Sequence, residues 1–387
     1  MRIGFDAKRA FHNGTGLGHY SRTLIRSLAE YFPDHQYYLF NPKSPARFAL
    51  PWDGVNRSNL IEVIPTRALD RLLPSAWRSS WVKKDLRKNQ IDLYHGLSHE
   101  IPRGMERRGI RTVVTIHDLI FERYPDQYNP IDVRIYRNKF RHACEKADRI
   151  IAISDQTKKD IVEFYKIPAR KIRVCYQSCQ PAFFETVSAA EKEQVKQRYQ
   201  LPDDFFLYVG SIIERKNLDN VVRALHAIRQ ETDLPLLVIG TGGKYERTVK
   251  ASIEELGLSD RVIFLSRSEA AKNSERFQQA TDFPAIYQLA TAMIYPSIFE
   301  GFGIPVLEAL ASELPVITSN LSCLPEAAGP GSLLIDPHDP QAIANAMRIV
   351  LTDRQKVTEM KKVGKEHALR FTPLATAKKV MDLYESI

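Results

Sequence analysis

Residues 295–308 read Tyr-Pro-Ser-Ile-Phe-Glu-Gly-Phe-Gly-Ile-Pro-Val-Leu-Glu, after an apolar run over 286–294 and ahead of Ala309, Leu310 and Ala311. The order is a strand end, a tight turn carrying Gly301 and Gly303, and a helix opened by Pro305. Proline suits the first helical turn, where its missing N–H has no partner to lose, and glycine lets a ligand come close to the backbone. Free N–H groups at such a helix start attract an anion. Two carboxylates flank that point. Glu300 precedes the turn, and Glu308 is expected inside the first helical turn. Each can accept hydrogen bonds from a polyhydroxyl group. Amides for phosphate, with carboxylates for hydroxyls on both sides, describe a nucleotide-sugar pocket. The plainer alternative is a helix N-terminus that happens to carry acidic residues, and spacing alone leaves both open.

The rest of the chain bounds the choice. Its 387 residues are too many for one core of ordinary size, so two domains are expected. Hydrophobic residues make up 44%, normal for a soluble globular protein. No apolar run approaches the ~18 residues of a membrane span, so none is expected. Met1-Arg2-Ile3-Gly4-Phe5-Asp6 begins a strand at once, without a signal-peptide pattern, and a cytoplasmic location is expected. Cys144, Cys175, Cys179 and Cys323 lack zinc-ligand spacing and are read as free thiols. The net charge of +9 is uneven. Residues 1–180 hold 32 Lys and Arg against 19 Asp and Glu, a balance of +13, and the remaining 207 hold 23 against 27, a balance of −4. An anionic partner for the first half follows, whether membrane surface, lipid pyrophosphate or nucleic acid, unless the basic face is merely solvated.

Strand and helix patterns alternate along the whole chain, which predicts doubly wound parallel sheets. After the first strand, Gly14-Thr15-Gly16-Leu17-Gly18 leads into a helix with Leu24, Ile25 and Leu28 inward. A glycine loop between strand and helix is a phosphate-holding arrangement, weak when alone. Residues 67–88 mix Leu69, Leu72, Leu73, Trp77, Trp81 and Leu86 with seven basic residues, and Pro74 is expected to split them into two short helices. Basic residues beside tryptophan suit an interfacial helix on anionic lipid, and packing of the apolar face on the sheet is the competing reading. The run 111–116 ends in His117-Asp118, where ligands of parallel sheets bind. Tyr124 and Tyr128 follow that strand end. Residues 181–188 read as the linker. Beyond it the run 205–211 enters a loop with Arg215 and Lys216, two cations suited to a diphosphate.

The stretch from Glu300 to Glu308, with Gly301-Phe302-Gly303 between, resembles the signature of the family 4 retaining glycosyltransferases, and the resemblance covers nearly the full length. It implies the GT-B fold: an α/β protein of two Rossmann-like domains facing across a cleft, residues 1–182 on the acceptor side and 183–372 on the donor side, with a last helix at 373–387 returning to the first. It implies that Glu300 contacts the donor sugar and Glu308 the nucleotide ribose. Gly16, Ser211, Arg215, Lys216 and the turn Gly301, Phe302, Gly303, Ile304 are the remaining donor contacts, and His117 and Asp118 join Glu300 at the reaction centre. Ser211 stands where the family often has Arg, and Arg215 is the expected substitute. No Asp-x-Asp motif occurs, and neither metal nor cofactor is expected. The run Thr15-Gly16-Leu17-Gly18 followed by Tyr20-Ser21-Arg22 is similar to bacterial mannosyltransferases, which favours GDP-mannose as donor. The implied acceptor is a surface glycan or lipid-linked glycan of polysaccharide or lipopolysaccharide biosynthesis, reached at the inner face of the cytoplasmic membrane. A nucleotide-sugar epimerase of similar build would lack the Glu300 and Glu308 pair in this context. A basic nucleic-acid binder would need a binding motif, and none is found, so no nucleic-acid partner is expected.

Overall fold

The computed structural model describes residues 1–48, 58–105 and 109–387. The chain divides into two units, one of residues Met1–Ser178 with Thr372–Ile387, the other Cys179–Phe371. Each is built on one parallel sheet.

In the first unit β1 (Arg2–Asp6), β2 (Gln36–Phe40), β3 (Leu60–Val63), β4 (Leu93–Gly96), β5 (Arg111–Ile116), β6 (Arg149–Ala152) and β7 (Ile172–Val174) lie in the order β3-β2-β1-β4-β5-β6-β7. In the second, β8 (Phe206–Val209), β9 (Leu236–Ile239), β10 (Val262–Phe264), β11 (Ala292–Tyr295), β12 (Val316–Ser319) and β13 (Leu333–Ile335) follow β10-β9-β8-β11-β12-β13. Strands covered by helices on both faces are apolar on both faces. Thus Val113, Val114 and Ile116 of β5, like Leu236, Leu237 and Val238 of β9, are fully buried. Each such side chain contributes about 1.5–3 kcal/mol of burial. In both sheets the strand order reverses beside the first strand, between β1 and β4 and between β8 and β11. Such a switch point opens a crevice beyond the carboxyl ends of the strands, where ligands bind.

The last helix, Pro373–Glu385, belongs to the first unit. Its Val380, Met381 and Tyr384 join the core of Ile3, Phe5, Leu24 and Ile25. The division at Ser178 falls ahead of the expected 182. Phe183, a few residues on, packs within the second unit. Its ring meets Tyr287 edge-on at 5.2 Å, and its carbonyl accepts from Ser312 Oγ.

Residues 67–88 depart from the two-helix expectation. They form helices at Ala68–Leu72, Pro74–Ala76 and Lys83–Lys88 around a wide π-turn at Trp77–Trp81. Trp77 sets the break. Its ring is buried, and its indole N–H donates to Asp85 Oδ2 at 2.7 Å. Val82 and Leu86 pack with it, whereas Leu69, Leu72 and Leu73 stay exposed beside Arg67 and Arg71. The segment therefore has one packed end and one bare apolar end. No helix of the described residues is long and apolar enough to cross a membrane.

Candidate functional site

The second unit's switch point gathers most of the expected donor residues. From β8, Gly210 turns the chain outward at φ 155°, Ser211 lies exposed, and a short helical turn carries Arg215 and Lys216. A side chain at Gly210 would come within 3.1 Å of Lys216 Nζ, so this glycine leaves room for that cation. From β11, the chain passes Tyr295 and Ser297 to Glu300.

Four groups converge on Glu300 Oε1: the Tyr295 hydroxyl at 3.0 Å, the Ser297 hydroxyl at 2.8 Å, Arg215 at 3.1 Å and Lys216 at 3.2 Å. Burial pushes this carboxyl up, but Lys216 and Arg215, with the Ser297 hydrogen bond, overcome it and hold the pKa at about 2. Lys216 Nζ also donates to Tyr295 OH at 2.6 Å and lies over that ring. Arg215 donates to the Phe299 carbonyl. The two cations were expected on a diphosphate; here they already grip Glu300, so carboxylate and cations form one cluster.

The turn behind Glu300 is stitched to the loop after β12. Ser322 Oγ accepts from the Glu300 N–H at 3.2 Å, and Cys323 Sγ donates to the Glu300 and Phe302 carbonyls. Gly303 has φ 107°, a conformation that favours glycine, and caps the helix Ile304–Ala311. Phe302 departs from a simple donor-contact reading. Its ring is 2% exposed and packs on Phe371 at 5.6 Å, so its side chain belongs to the core. Glu308 lies one residue past the first helical turn, which carries no acidic residue. Its Oε2 accepts from Tyr287 OH at 2.9 Å, and burial lifts its pKa to about 7 against that hydrogen bond. Two glutamates of one turn-helix element are thus held in opposite protonation regimes.

Gly16, His117 and Asp118 belong to the first unit. Gly16 opens the helix Gly16–Tyr31 and a Cβ on it would meet nothing within 4 Å. The sterically demanding glycine is Gly18, where a Cβ would sit 1.8 Å from the Asn13 carbonyl oxygen. Asn13 Oδ1 closes this loop by accepting from the N–H groups of Thr15 and Gly18. His117 is 4% exposed with both ring nitrogens engaged. Nε2 donates to the Leu97 carbonyl at 2.9 Å, and Nδ1 accepts from the Gln177 amide at 3.0 Å. Burial pulls its pKa down to about 4, so the ring is neutral at pH 7. Asp118 Oδ1 accepts from the Ile120 N–H at 3.1 Å, just ahead of the short helix Ile120–Arg123.

Sequence reading missed Tyr295, Ser297, Ser322, Tyr287 and Gln177. The first two were read only as strand end. The other three lie far along the chain from their partners and carry no motif, so only folding brings them in.

Comparison with known proteins adds two matching family models. "Glycosyltransferase Family 4" spans residues 14–179, and "Glycosyl transferases group 1" spans residues 190–367. The chain is 29% identical to the O-antigen chain mannosyltransferase B of Escherichia coli, over 89% of each chain. It is 28% identical to the serotype-specific mannosyltransferase WbdA of Escherichia coli over 74% of its own length, which spans only 35% of that longer protein. Among solved structures it superposes with a TM-score of 0.73 on Anabaena HepE in complex with UDP-glucose, covering 100% of both chains at 18% identity.

Proposed function

This chain belongs to the family 4 glycosyltransferases, with the GT-B fold, and from that premise we propose that it moves a hexose, mannose by preference, from a nucleotide-diphosphate sugar to a surface or lipid-linked glycan. The observation that carries the reading is the Glu300 cluster at the β8/β11 switch point. The four contacts to the Glu300 carboxylate described above all fall on Oε1. Oε2 is the oxygen offered to a hydroxyl of the donor sugar. Arg215 and Lys216, fixed beside it, face the diphosphate, and the helix start at Gly303 and Ile304 adds oriented N–H groups. Ser211, exposed just past β8, lines the same donor.

When the sugar leaves, negative charge builds on the departing diphosphate. Fixed cations stabilise that charge without reorganising, which is where such a site gains most of its rate. Two side-chain cations supply this charge, and we propose that the reaction needs no metal and retains anomeric configuration. Glu308 accepts from the ribose hydroxyls. His117 acts as a neutral hydrogen-bonding group, and a sugar hydroxyl that reaches its Nδ1 takes the place of the Gln177 amide. Asp118 holds the Ile120 N–H in the loop that follows His117.

Mannose rests on the relatives named mannosyltransferases, and polysaccharide or lipopolysaccharide assembly rests on the O-antigen name. We place the protein in the cytoplasm, with the exposed leucines and arginines of residues 67–73 touching the inner membrane face. Calorimetric titration with UDP, GDP and ADP tests the donor site. One diphosphate is expected to bind, GDP most tightly, and Glu308→Ala to weaken it by about 1–3 kcal/mol through loss of a charged hydrogen bond. Equal affinity in that variant removes Glu308 from the ribose.

A further inference from the structure

Eight non-glycine residues among the described ones have positive φ. Five of them, Gln90, Lys166, Gln200, Ala280 and Glu313, follow the end of an α-helix, where the chain commonly turns left-handed. The other three, His99, Asn217 and Ser322, lie in loops past the carboxyl ends of β4, β8 and β12, the edge where parallel sheets bind ligands. Histidine and asparagine tolerate that region better than most residues. Serine does not share the tolerance, so Ser322, at φ 60°, calls for a physical reason.

The loop around it supplies one. Ser319 Oγ accepts from the Leu321 N–H at 3.0 Å, and the Leu324 N–H closes a turn onto the Leu321 carbonyl at 3.3 Å. Cys323, second of the two central residues, takes φ −87° and ψ −2°. A turn with positive φ at its first central residue and such angles at its second is one that glycine dominates. Serine in that place carries a hydroxyl to Glu300. It accepts from the Glu300 N–H at 3.2 Å and donates to the Glu300 carbonyl at 3.0 Å. A hydroxyl has one proton and two lone pairs, enough for both bonds at once. Just upstream, the Arg215 carbonyl accepts from the Ile298 N–H at 2.8 Å and from Ser297 Oγ at 3.1 Å. Glu300 is thus fixed three times over: its backbone by Ser322, the segment before it by Arg215, and its Oε1 by the hydroxyls and cations described above. A strained residue persists only where its surroundings over-determine it, and such residues gather where placement matters.

We propose that Ser322 is a positioning residue for sugar transfer: its hydroxyl clasps the backbone of Glu300 and so sets where Glu300 Oε2 meets the donor sugar. Its action runs through Glu300 and not through contact with the sugar. The consequence for transfer rests on the transferase reading above; the clasp does not. A shift of about 1 Å at a catalytic group can cost about a hundredfold in rate, which gives a small backbone displacement a large effect. A serine that only stabilised the loop would instead make stability and turnover fall together.

Ser322→Gly and Ser322→Thr, made in the full chain, separate fold from rate. Glycine removes the hydroxyl and the backbone strain together, so Ser322→Gly is expected to melt within about 4 °C of wild type. Threonine keeps the hydroxyl and worsens the strain, since β-branched residues fit positive φ poorly, and is expected to melt lower. Initial rates with GDP-mannose and a lipid-linked glycan are taken well below both melting temperatures. In Ser322→Gly, kcat is expected to fall about tenfold or more while donor KM stays within about threefold. In Ser322→Thr, the retained hydroxyl is expected to return kcat to within about threefold of wild type. Hydrogen exchange read by mass spectrometry follows the clasp with no substrate present. The peptide carrying Glu300 is expected to exchange faster in Ser322→Gly, and the peptide over β9 at the wild-type rate. Unchanged exchange at Glu300 overturns the clasp. Faster exchange with wild-type kcat overturns the positioning role, and so does a kcat that simply tracks melting temperature. Should Ser322→Thr fail to fold, Ser322→Gly decides alone. A wild type that transfers sugar from no nucleotide donor overturns the transferase reading and the positioning role built on it, and the exchange difference, still present, tells that failure from the others.

Discussion

Glu300 and Glu308 show how one residue type serves two ends when its surroundings differ. Glu300, held at about 2 against an ordinary 4.5, adds stability at every pH above the unfolded value and gives it up as pH falls toward 2. Glu308, raised to about 7, does the reverse: its contribution is full below about 4.5 and is lost as pH rises through 7. Thermal melts across pH should separate them. Glu308→Gln is expected to raise stability at pH 8 by about 1–3 kcal/mol and to change little near pH 4. Glu300→Gln is expected to cost about 3–5 kcal/mol at pH 7, because Arg215 and Lys216 lose the charge that compensates them. A Glu308→Gln protein that melts lower at pH 8 contradicts the burial assigned to that carboxyl. Both glutamates were legible as site candidates from the turn and its glycines. Their opposite electrostatics were not, because Arg215, Lys216 and Tyr287 reach them only through the fold.

At the scale of elements, the parallel strands were the most legible part of the chain. A strand buried on both faces leaves an unbroken apolar run, and 111–116 or 236–239 carries no other signal. The glycine loop was legible as a loop, but which glycine matters was not. Gly16 faces open space, and Gly18 lies against the Asn13 carbonyl. Gly18→Ala is therefore expected to cost about 1–3 kcal/mol or more by overpacking, and Gly16→Ala less than about 1 kcal/mol. Equal melting temperatures for the two variants refute that distinction. Residues 67–88 read least well, since the π-turn answers to the packing of Trp77 and its bond to Asp85, neither visible in periodicity. The bare end of the segment makes a separate prediction. Leu69→Ser with Leu72→Ser is expected to weaken sedimentation with vesicles of anionic phospholipid at least about threefold, without changing nucleotide affinity. Unchanged vesicle binding removes this segment from the membrane face.

For the whole molecule, the two sheets repeat one plan: an alternating pattern and a reversal of strand order beside the first strand. The plan was legible in the alternation, but the discontinuous make-up of the first unit depends on Tyr384. That tyrosine is 1% exposed, and its hydroxyl lies 2.6 Å from His95 Nδ1. Nothing in residues 373–385 alone names that partner. The account of the whole rests on Glu300 and its two cations handling an activated sugar. The most direct measurement is a transfer assay with GDP-mannose and a lipid-linked glycan, run with wild type and Glu300→Gln, with and without EDTA, and with the product's anomeric configuration read by NMR. The account predicts mannose transferred with its configuration kept, turnover indifferent to EDTA, and transfer lost in Glu300→Gln while GDP still binds. Full turnover by Glu300→Gln, or no sugar released from any nucleotide donor by the wild type, would contradict it.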